Sequence, residues 1–510
     1  MNSEPQPSHR SVWFAWLLLL IAAILFRLHE LSDVSAWYDE AASWKTISLS
    51  WPSMWESLRR NVHPPVYYVA VRSWAAVLGD SIVSLRLFSV LCGILTLPAI
   101  EMLAREVSIG TSHSERSRLP HLATWAYALS PIAIEQSQQT RMYALAILFA
   151  AGLSWGLVRV LREPACWSGW LGLSLCGNLL SLTHYYGLWN SAMAALVLVT
   201  VSVFQIRQRL INCRWQWVAA LGISLAAWAG WLPEFLDQHS RVHDSYWIPE
   251  FTISELTIFI AEWSSSPHVR ELGLGVIWLT CGLTLVAAAA LLMTRSPGRL
   301  ALAALAIGPP VLSTLYSLWT RNLLQGRYWC FAHLNYLVAV ALLIAALRVQ
   351  AVRRVGSAVL LVGLLGWSVQ GLRDRSALAQ NAGLRECGTA LLQRRLPHEP
   401  VFVASPYYGP SIQRYLPQAS GVYILKPYQP LSHFQGQAII RPDELRTIEN
   451  DSLVDTDRFW VVADELLSLT IQNPQFVAIP PGWKRGSTTA YQEANRLPTR
   501  LELWEYVREK

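Results

Sequence analysis

Charge is scarce in this chain: 15% of its 510 residues are Asp, Glu, Lys or Arg, against 53% that are hydrophobic. A soluble enzyme of this size would need a more polar surface, so the balance excludes that class and indicates a polytopic membrane protein. Paired cysteines are lacking too. The seven, at 92, 166, 176, 213, 281, 330 and 387, are scattered with no close pair at metal-ligand spacing, which speaks against a cysteine zinc site and a disulfide framework. No Walker loop or Gly-rich dinucleotide fingerprint precedes a helix, so no nucleotide site is visible. Internal repeats and low-complexity tracts are also missing. The formal charge of +7 is dispersed as short Lys/Arg clusters between apolar runs. That is a topology signal, and no nucleic-acid partner is expected.

Long apolar runs and tryptophan are abundant. Runs able to cross about 30 Å of hydrocarbon lie near 11–27, 82–104, 119–135, 141–161, 166–183, 187–206, 215–235, 271–294, 299–319, 328–348 and 354–372, eleven candidate spans. The first reads as an uncleaved span, because a long polar stretch separates it from the cleavage-like Val34-Ser35-Ala36. Val66–Leu78 is apolar but carries Arg72, and at ~1.5 Å per residue it reaches only about 20 Å, so it is assigned to the membrane surface. Trp51, Met54, Trp55 and Leu58 repeat at helical spacing opposite Ser53, Glu56 and Arg60. They predict a second, interfacial amphipathic helix. The 25 Trp residues suit a chain with many membrane–water boundaries.

With eleven spans and a cytoplasmic N-terminus, the clusters Arg105/Arg116/Arg118, Arg159/Arg162, Arg207/Arg209/Arg214, Arg295/Arg299 and Arg348/Arg353/Arg354 all fall on the cytoplasmic side. The C-terminus then lies outside. The membrane domain is expected over 1–372, with its outer loop 28–81 bearing the chemistry. Beyond it, over 373–510, the sequence turns polar and Pro-punctuated. Short apolar runs at Val401–Ala404, Val422–Leu425, Phe459–Ala463 and Leu501–Val507, with a helix-like stretch Leu384–Leu396, predict a small extracytoplasmic α/β domain.

On this topology the polar groups collect at one membrane face. Asp39, Glu40 and His63 lie in the first outer loop, and Glu135, Gln139, Arg141 and Tyr143 lie between the third and fourth spans. His184, Tyr185 and Tyr186 follow the fifth span, His239, His243 and Trp247 sit in the loop 236–270, and Arg321, Arg327 and Tyr328 precede the tenth span. Each alone has a plainer reading: an interfacial anchor for Arg141 or Arg327, a satisfied polar residue for His63 or His184, a belt aromatic for Tyr143 or Tyr328. Five chain regions delivering them to one surface point to chemistry instead. Adjacent carboxylates beside cations suit transfer onto or off a phosphate: the carboxylate takes a proton from the nucleophile, and guanidinium groups hold charge growing on the leaving phosphate.

Asp39-Glu40, His63-Pro64-Pro65-Val66-Tyr67-Tyr68, Ser130-Pro131 through Gln139-Thr140-Arg141-Met142-Tyr143, Thr183-His184-Tyr185-Tyr186-Gly187 and Arg327-Tyr328, in that order, resemble the GT-C membrane glycosyltransferases. Within them the chain is similar to the family 39, protein-mannosyltransferase-like bacterial branch that contains the lipid A aminoarabinose transferases. The resemblance covers roughly 12–350. It implies a sugar donor on a polyprenyl phosphate, an acceptor hydroxyl on a lipid, glycan or protein, inversion at the anomeric carbon, and a place in the cell inner membrane with the site extracytoplasmic. Asp39 would be the base, with Glu40 beside it, while His63, Arg141, His184, Arg327 and Tyr328 would hold donor phosphate or line the cavity. One departure stands out: the family usually has Glu two positions before the Arg of its fourth-span motif, and this chain has Gln139. Glu135 is the candidate replacement; otherwise the second acidic role is lost. A divalent metal, magnesium or manganese, stays open as a requirement, with Asp39 and Glu135 as candidate ligands. The rival reading is a lipid-linked glycan transporter, which would share the spans but would ordinarily carry ionisable groups at mid-bilayer.

The charge pattern gives a direct test of orientation. Single cysteines placed after residue 375 are expected to react with membrane-impermeant reagents from the outer side, and ones near Arg116 to be protected. The reverse pattern would make Val66–Leu78 a crossing helix.

Overall fold

The structure is a computed structural model that describes the chain apart from residues 1–8, 111, 202–213, 245–247, 249, 294–295, 417–420, 428–429, 432–434, 450–452, 465–478, 496–498 and 510. Its first two-thirds is helical. In chain order come α1 (His9–Leu28), α2 (Tyr38–Ser48), α3 (Trp51–Arg60), α4 (Val66–Leu78), α5 (Ile82–Val107), α6 (His113–Ala128), α7 (Pro131–Ser137), α8 (Tyr143–Arg162), α9 (Trp167–Ser181) and α10 (Gly187–Val201). Further helices cover Arg214–Ala229, Leu232–Asp244, Ile253–Ser264, Leu274–Leu292, Pro297–Trp319, Cys330–Ala345 and Gln350–Gln380.

Among the described residues the eleven apolar runs fall mainly on helix, but not each on one long helix. Among the described residues six helices have the length and apolarity of a membrane span, and a seventh arises if Trp215–Ala229 and Leu232–Arg241, bent by 57°, are one span. The run 119–135 divides at Ser130-Pro131, where Pro131 opens α7 and the Ser130 hydroxyl accepts from the Ala133 amide. Serine as N-cap followed by proline at N1 favours a new helix start at that point. The molecule is a multi-pass membrane protein. Leu279, Leu283 and Val286 on one helix and Val355, Val359 and Val362 on another stay more than half exposed, as lipid-facing side chains do.

Small residues set the closest helix crossing. A Cβ on Gly156 of α8 would collide with the backbone nitrogen of Leu173 and would lie 2.8 Å from the Gly169 carbonyl oxygen, both on α9. Lipid gives helices little hydrophobic reason to associate, so such close backbone contact supplies the packing.

The interfacial helix predicted from Trp51, Met54, Trp55 and Leu58 is present as α3, but its apolar face is used differently. Met54 and Leu58 are fully buried in the protein core, and Trp55 meets the Trp231 ring at 6.1 Å. Only Trp51 remains largely outward, at 46% exposure, with Arg72 4.5 Å over its ring. Helical periodicity identifies an apolar face without saying whether lipid or protein covers it.

Gln350–Gln380 leads directly into the helix Gly383–Arg394 and a six-stranded mixed sheet. The strands are β1 (Val401–Val403), β2 (Val422–Leu425), β3 (Leu445–Arg446), β4 (Arg458–Asp464), β5 (Trp483–Glu493) and β6 (Thr499–Arg508), in the spatial order β3-β2-β1-β4-β6-β5. The first four in space run parallel and the β4-β6-β5 side is antiparallel. Val401, Val403, Trp460 and Val462 pack with Leu384, Cys387 and Leu391 of the preceding helix. This domain reaches back onto the first loop of the membrane region. The Tyr415 hydroxyl accepts from the Ala36 amide at 2.7 Å, Asn495 Nδ2 donates to the Ser35 carbonyl at 2.8 Å, and Lys45 Nζ lies 2.7 Å from Gln413 Oε1 and 2.8 Å from Glu444.

The glycine crossing yields a paired test. Gly156→Ala forces α8 and α9 apart and should cost about 1–3 kcal/mol, whereas Gly222→Ala, with nothing within 4 Å of its Cβ position, should be neutral or stabilising by up to about 1 kcal/mol. Thermal melts of the two purified variants check this; equal midpoints would show that the crossing tolerates a methyl group.

Candidate active site

The site begins with the start of α2. Trp37 occupies the N-cap in an extended conformation, and Asp39 and Glu40 fall in the first turn, where the helix dipole favours acids. Neighbouring helical residues point about 100° apart, so two adjacent carboxylates must serve different surroundings.

Glu40 is consumed by structure. Arg86 of α5 grips it in two-pronged fashion, Nε to Oε1 at 2.9 Å and Nη2 to Oε2 at 2.6 Å, and both side chains are 1% exposed. The same guanidinium donates to the carbonyls of Leu31, Val34 and Ser35 at 2.7–3.1 Å. Glu40 Oε1 also accepts from the Thr140 amide at 2.8 Å. Burial resists ionisation of Glu40, but the charge and bonds of Arg86, with the Thr140 amide, outweigh it and hold the carboxyl below the usual carboxylate range.

Asp39 is placed differently. Its side chain is 23% exposed, and Oδ2 lies 3.6 Å from Arg141 Nη2, too long for a strong hydrogen bond. Arg141 is anchored by the Asp39 carbonyl at 3.3 Å and the Ser43 hydroxyl at 3.4 Å, and its Nη2 stands 3.3 Å from His63 Nε2. Burial works against the Arg141 charge, and Asp39, then Tyr143 and Tyr68, more than restore it, so the guanidinium stays cationic. Arg141 Nε is buried without a hydrogen-bond partner.

Aromatic groups wall this corner. Tyr143 stacks on Tyr328 at 6.3 Å, and His184 lies 5.5 Å from Tyr143 and 5.3 Å from Tyr328, ring centre to ring centre. Arg327 sits over the rings of Trp37 and Tyr328 at 5.6 and 5.4 Å. Burial, then the charges of Arg141 and Arg327, pull the His184 imidazole down to about 3. It is therefore a neutral group, with Nδ1 accepting from the Tyr186 amide at 3.2 Å, and cannot serve as a phosphate-binding cation.

Of the residues singled out in the sequence, Asp39, His63, Arg141, Tyr143, His184, Arg327 and Tyr328 are thus gathered together, while Glu40 turns to Arg86. Tyr185 lies elsewhere: it donates to Gln238 at 2.6 Å and accepts from the Trp231 indole at 2.8 Å, bracing the bent helix pair. Glu135 and Gln139 line a separate cavity of about 330 Å³ with Trp37, Glu40, Arg86 and Arg375. There Gln139 Nε2 donates to Glu135 Oε1 at 3.2 Å, a bond that Glu at 139 could not make at neutral pH. His239 lies on Leu232–Asp244, 3.4 Å from Arg321. Trp247 and the His243 side chain fall outside the described residues. Sequence reasoning missed Arg86 and Ser43. The signal for Arg86 was present: a guanidinium near the start of a long apolar helix demands a partner.

Asp39, a candidate ligand for a divalent ion, has a cation as its neighbour. The carboxylate faces a buried guanidinium, and neither Asp39 nor Glu135 joins any cluster of three metal-ligating side chains among the described residues.

No protein-family model and no curated protein matches this chain. Among solved structures, ArnT from Cupriavidus metallidurans bound to undecaprenyl phosphate superposes with a TM-score of 0.63 at 14% identity, covering 98% of each chain. Its apo state gives 0.62 at 13% identity over the same coverage. The Archaeoglobus fulgidus oligosaccharyltransferase in complex with Zn and sulfate gives 0.53 at 12% identity, over 97% of this chain and 73% of that one. The chain accordingly shares the fold of these membrane proteins. Within that class it is ArnT-like, from the first helix to the C-terminal sheet.

The neutral His184 carries a pH dependence. An unfolded chain with an ordinary imidazole near 6.5 takes up a proton here between pH 6.5 and about 3, and the folded protein does not. The stability that this site contributes is therefore present above pH 6.5 and is lost as pH falls through that window, at up to about 1.4 kcal/mol per unit. Melting midpoints at pH 4.5 and 7.5 should differ less in His184→Phe than in the native protein; an unchanged difference would mean that the imidazole is charged in the fold.

Proposed function

We propose that this chain is an inverting glycosyltransferase that moves a sugar from a polyprenyl-phosphate donor to an acceptor hydroxyl on the outer face of the cytoplasmic membrane. The observation that carries the reading is the partly exposed Asp39 carboxylate held 3.6 Å from a buried, cationic Arg141 whose Nε lacks a partner. A base thus stands beside a cationic corner suited to an anion, and Arg327 adds a second guanidinium to it. The ArnT-like fold supports the donor class, since that protein was solved with undecaprenyl phosphate bound.

In the reaction, the acceptor hydroxyl oxygen attacks the anomeric carbon while Asp39 takes its proton. The bond from that carbon to the phosphate oxygen breaks, and polyprenyl phosphate leaves as an anion facing Arg141 and Arg327. The lipid phosphate is an adequate leaving group, so the demanding step is activation of a weak nucleophile, for which one placed carboxylate suffices. Arg141 suits the phosphate through its planar donors. Tyr143, His184 and Tyr328 form a wall for the sugar or the first isoprene units. Glu40 acts as a positioning group, fixing through Arg86 the turn that presents Asp39. The donor arrives laterally through the bilayer, consistent with the absence of a nucleotide motif. With the Arg clusters on the cytoplasmic side and 373–510 outside, as the sequence pattern supports, this corner would open at the outer mouth.

Two variants separate the roles of the paired acids. Asp39→Asn should reduce transfer by ~100- to 10,000-fold with an unchanged melting midpoint and unchanged donor-lipid binding. Glu40→Gln, which weakens a buried ion pair, should lower stability by about 3–5 kcal/mol as well as activity. Near-normal turnover of Asp39→Asn with a purified polyprenyl-phosphate sugar would remove Asp39 from the mechanism.

A further inference from the structure

The cavity beside Glu135 has a rim that the proposed transfer reaction does not use. It is formed where the two-turn 3₁₀ segment Pro267–Leu272 meets the helix Gln350–Gln380. A 3₁₀ helix repeats every three residues, so side chains at i and i+3 eclipse. His268 and Glu271 therefore present an imidazole and a carboxylate on one side of the turn. Asp374 meets them from the long helix, and the ligand atoms of all three lie within 4.8 Å of one another.

We propose that His268, Glu271 and Asp374 form a divalent-metal site of the kind that takes zinc, tying the turn Pro267–Leu272 to the helix Gln350–Gln380 at the mouth of this cavity. One imidazole and two carboxylates make a nitrogen–oxygen set suited to zinc at bonds of about 2.0–2.2 Å, which in tetrahedral geometry sets ligand atoms roughly 3.4 Å apart. His268 Nδ1 and Asp374 Oδ2 are already 2.8 Å apart. Glu271 is exposed, so its carboxylate is free to swing the remaining ångström or so inward. Water would fill the fourth position on the cavity side.

The surroundings match what a metal site needs. Asp374 Oδ1 accepts from Gln370 Nε2 at 2.8 Å, the kind of outer contact that orients a ligating carboxylate. Gly371 leaves room for the imidazole, since a Cβ there would stand 3.3 Å from His268 Nε2. Neighbouring cations are directed elsewhere: Arg270 pairs with Glu262 at 2.9 Å, and Arg375 donates to the carbonyls of His29 and Glu30 at 3.0 and 3.2 Å. This site is distinct from the Asp39 corner, and its occupancy can be read without any activity measurement.

The test uses the full-length protein in detergent, stripped with chelator, equilibrated with zinc chloride and desalted. Elemental analysis should find one zinc per chain in the native protein and in Asp39→Asn, and less than about a fifth of that in His268→Ala and Asp374→Asn. Glu271→Gln, at an exposed position that does not put folding at risk, should weaken zinc binding at least tenfold in a chelator competition. A hundredfold excess of zinc over its Kd should raise the native melting midpoint by roughly 2–3 °C and leave that of His268→Ala in place. No retained zinc in the native protein, equal zinc in native and His268→Ala, or loss of zinc in Asp39→Asn would overturn the proposal.

Discussion

Arg86 commits its guanidinium to a single stretch of chain. Two of its bonds go to Glu40 and three to the carbonyls of Leu31, Val34 and Ser35, so the start of the first outer loop is wrapped around one cation rooted in α5. Burying this pair is expensive in desolvation, and a hydrophobic pair of the same shape would often be as stable. What the ion pair provides is direction: it fixes the entry into α2, and with it the angle at which Asp39 leaves the helix. Removing one partner would strand a charge away from water. The arrangement also divides labour between adjacent acids, one neutralised and immobile, the other partly exposed beside Arg141.

Around Asp39 fixed positive charge comes from guanidinium groups, while the His184 imidazole beside them is neutral. Arg141 is kept cationic by Asp39 and by tyrosines, and the same cations help to discharge His184. The guanidinium charges of Arg141 and Arg327 do not titrate near neutrality. Aromatic faces from three chain regions, Tyr143, His184 and Tyr328, close around it. The corner joins fixed charge to an apolar wall, as a lipid phosphate carrying a sugar would require.

Much of this was legible in the sequence because residue types and topology sufficed. The apolar runs located the helices, and polar residues at run ends located the corner holding Asp39, Arg141, His184 and Arg327. The failures have physical causes. Adjacency of Asp39 and Glu40 suggested shared chemistry, but helical geometry sends them to different partners, and the partner of Glu40 lay inside an apolar run. Glu135 and Gln139 belong to the same motif as Arg141, yet the short α7, capped by Ser130 and Pro131, turns them into another cavity. The apolar face of α3 looked lipid-bound because tryptophan and methionine suit lipid and protein interiors alike. Strand β5 was not foreseen because Lys484, Arg485 and Gln492 make an exposed edge strand look like a loop. His268, Glu271 and Asp374 combine a three-residue period with a partner more than a hundred residues away, a pattern with no linear signature.

The hydrogen bond from Asn495 to the Ser35 carbonyl spans 460 positions of sequence, and the bond between Ala36 and Tyr415 spans 379. Chains emerge from the ribosome N-terminus first, and contacts between distant segments must wait for the later one. The loop bearing Asp39 is among the first segments to be made, but the C-terminal side chains that clasp it are among the last. The membrane helices can therefore be inserted and packed while this loop is still unclasped. Ser35 and Ala36, which lead into α2, gain these partners only once Tyr415 and Asn495 have been made and folded back.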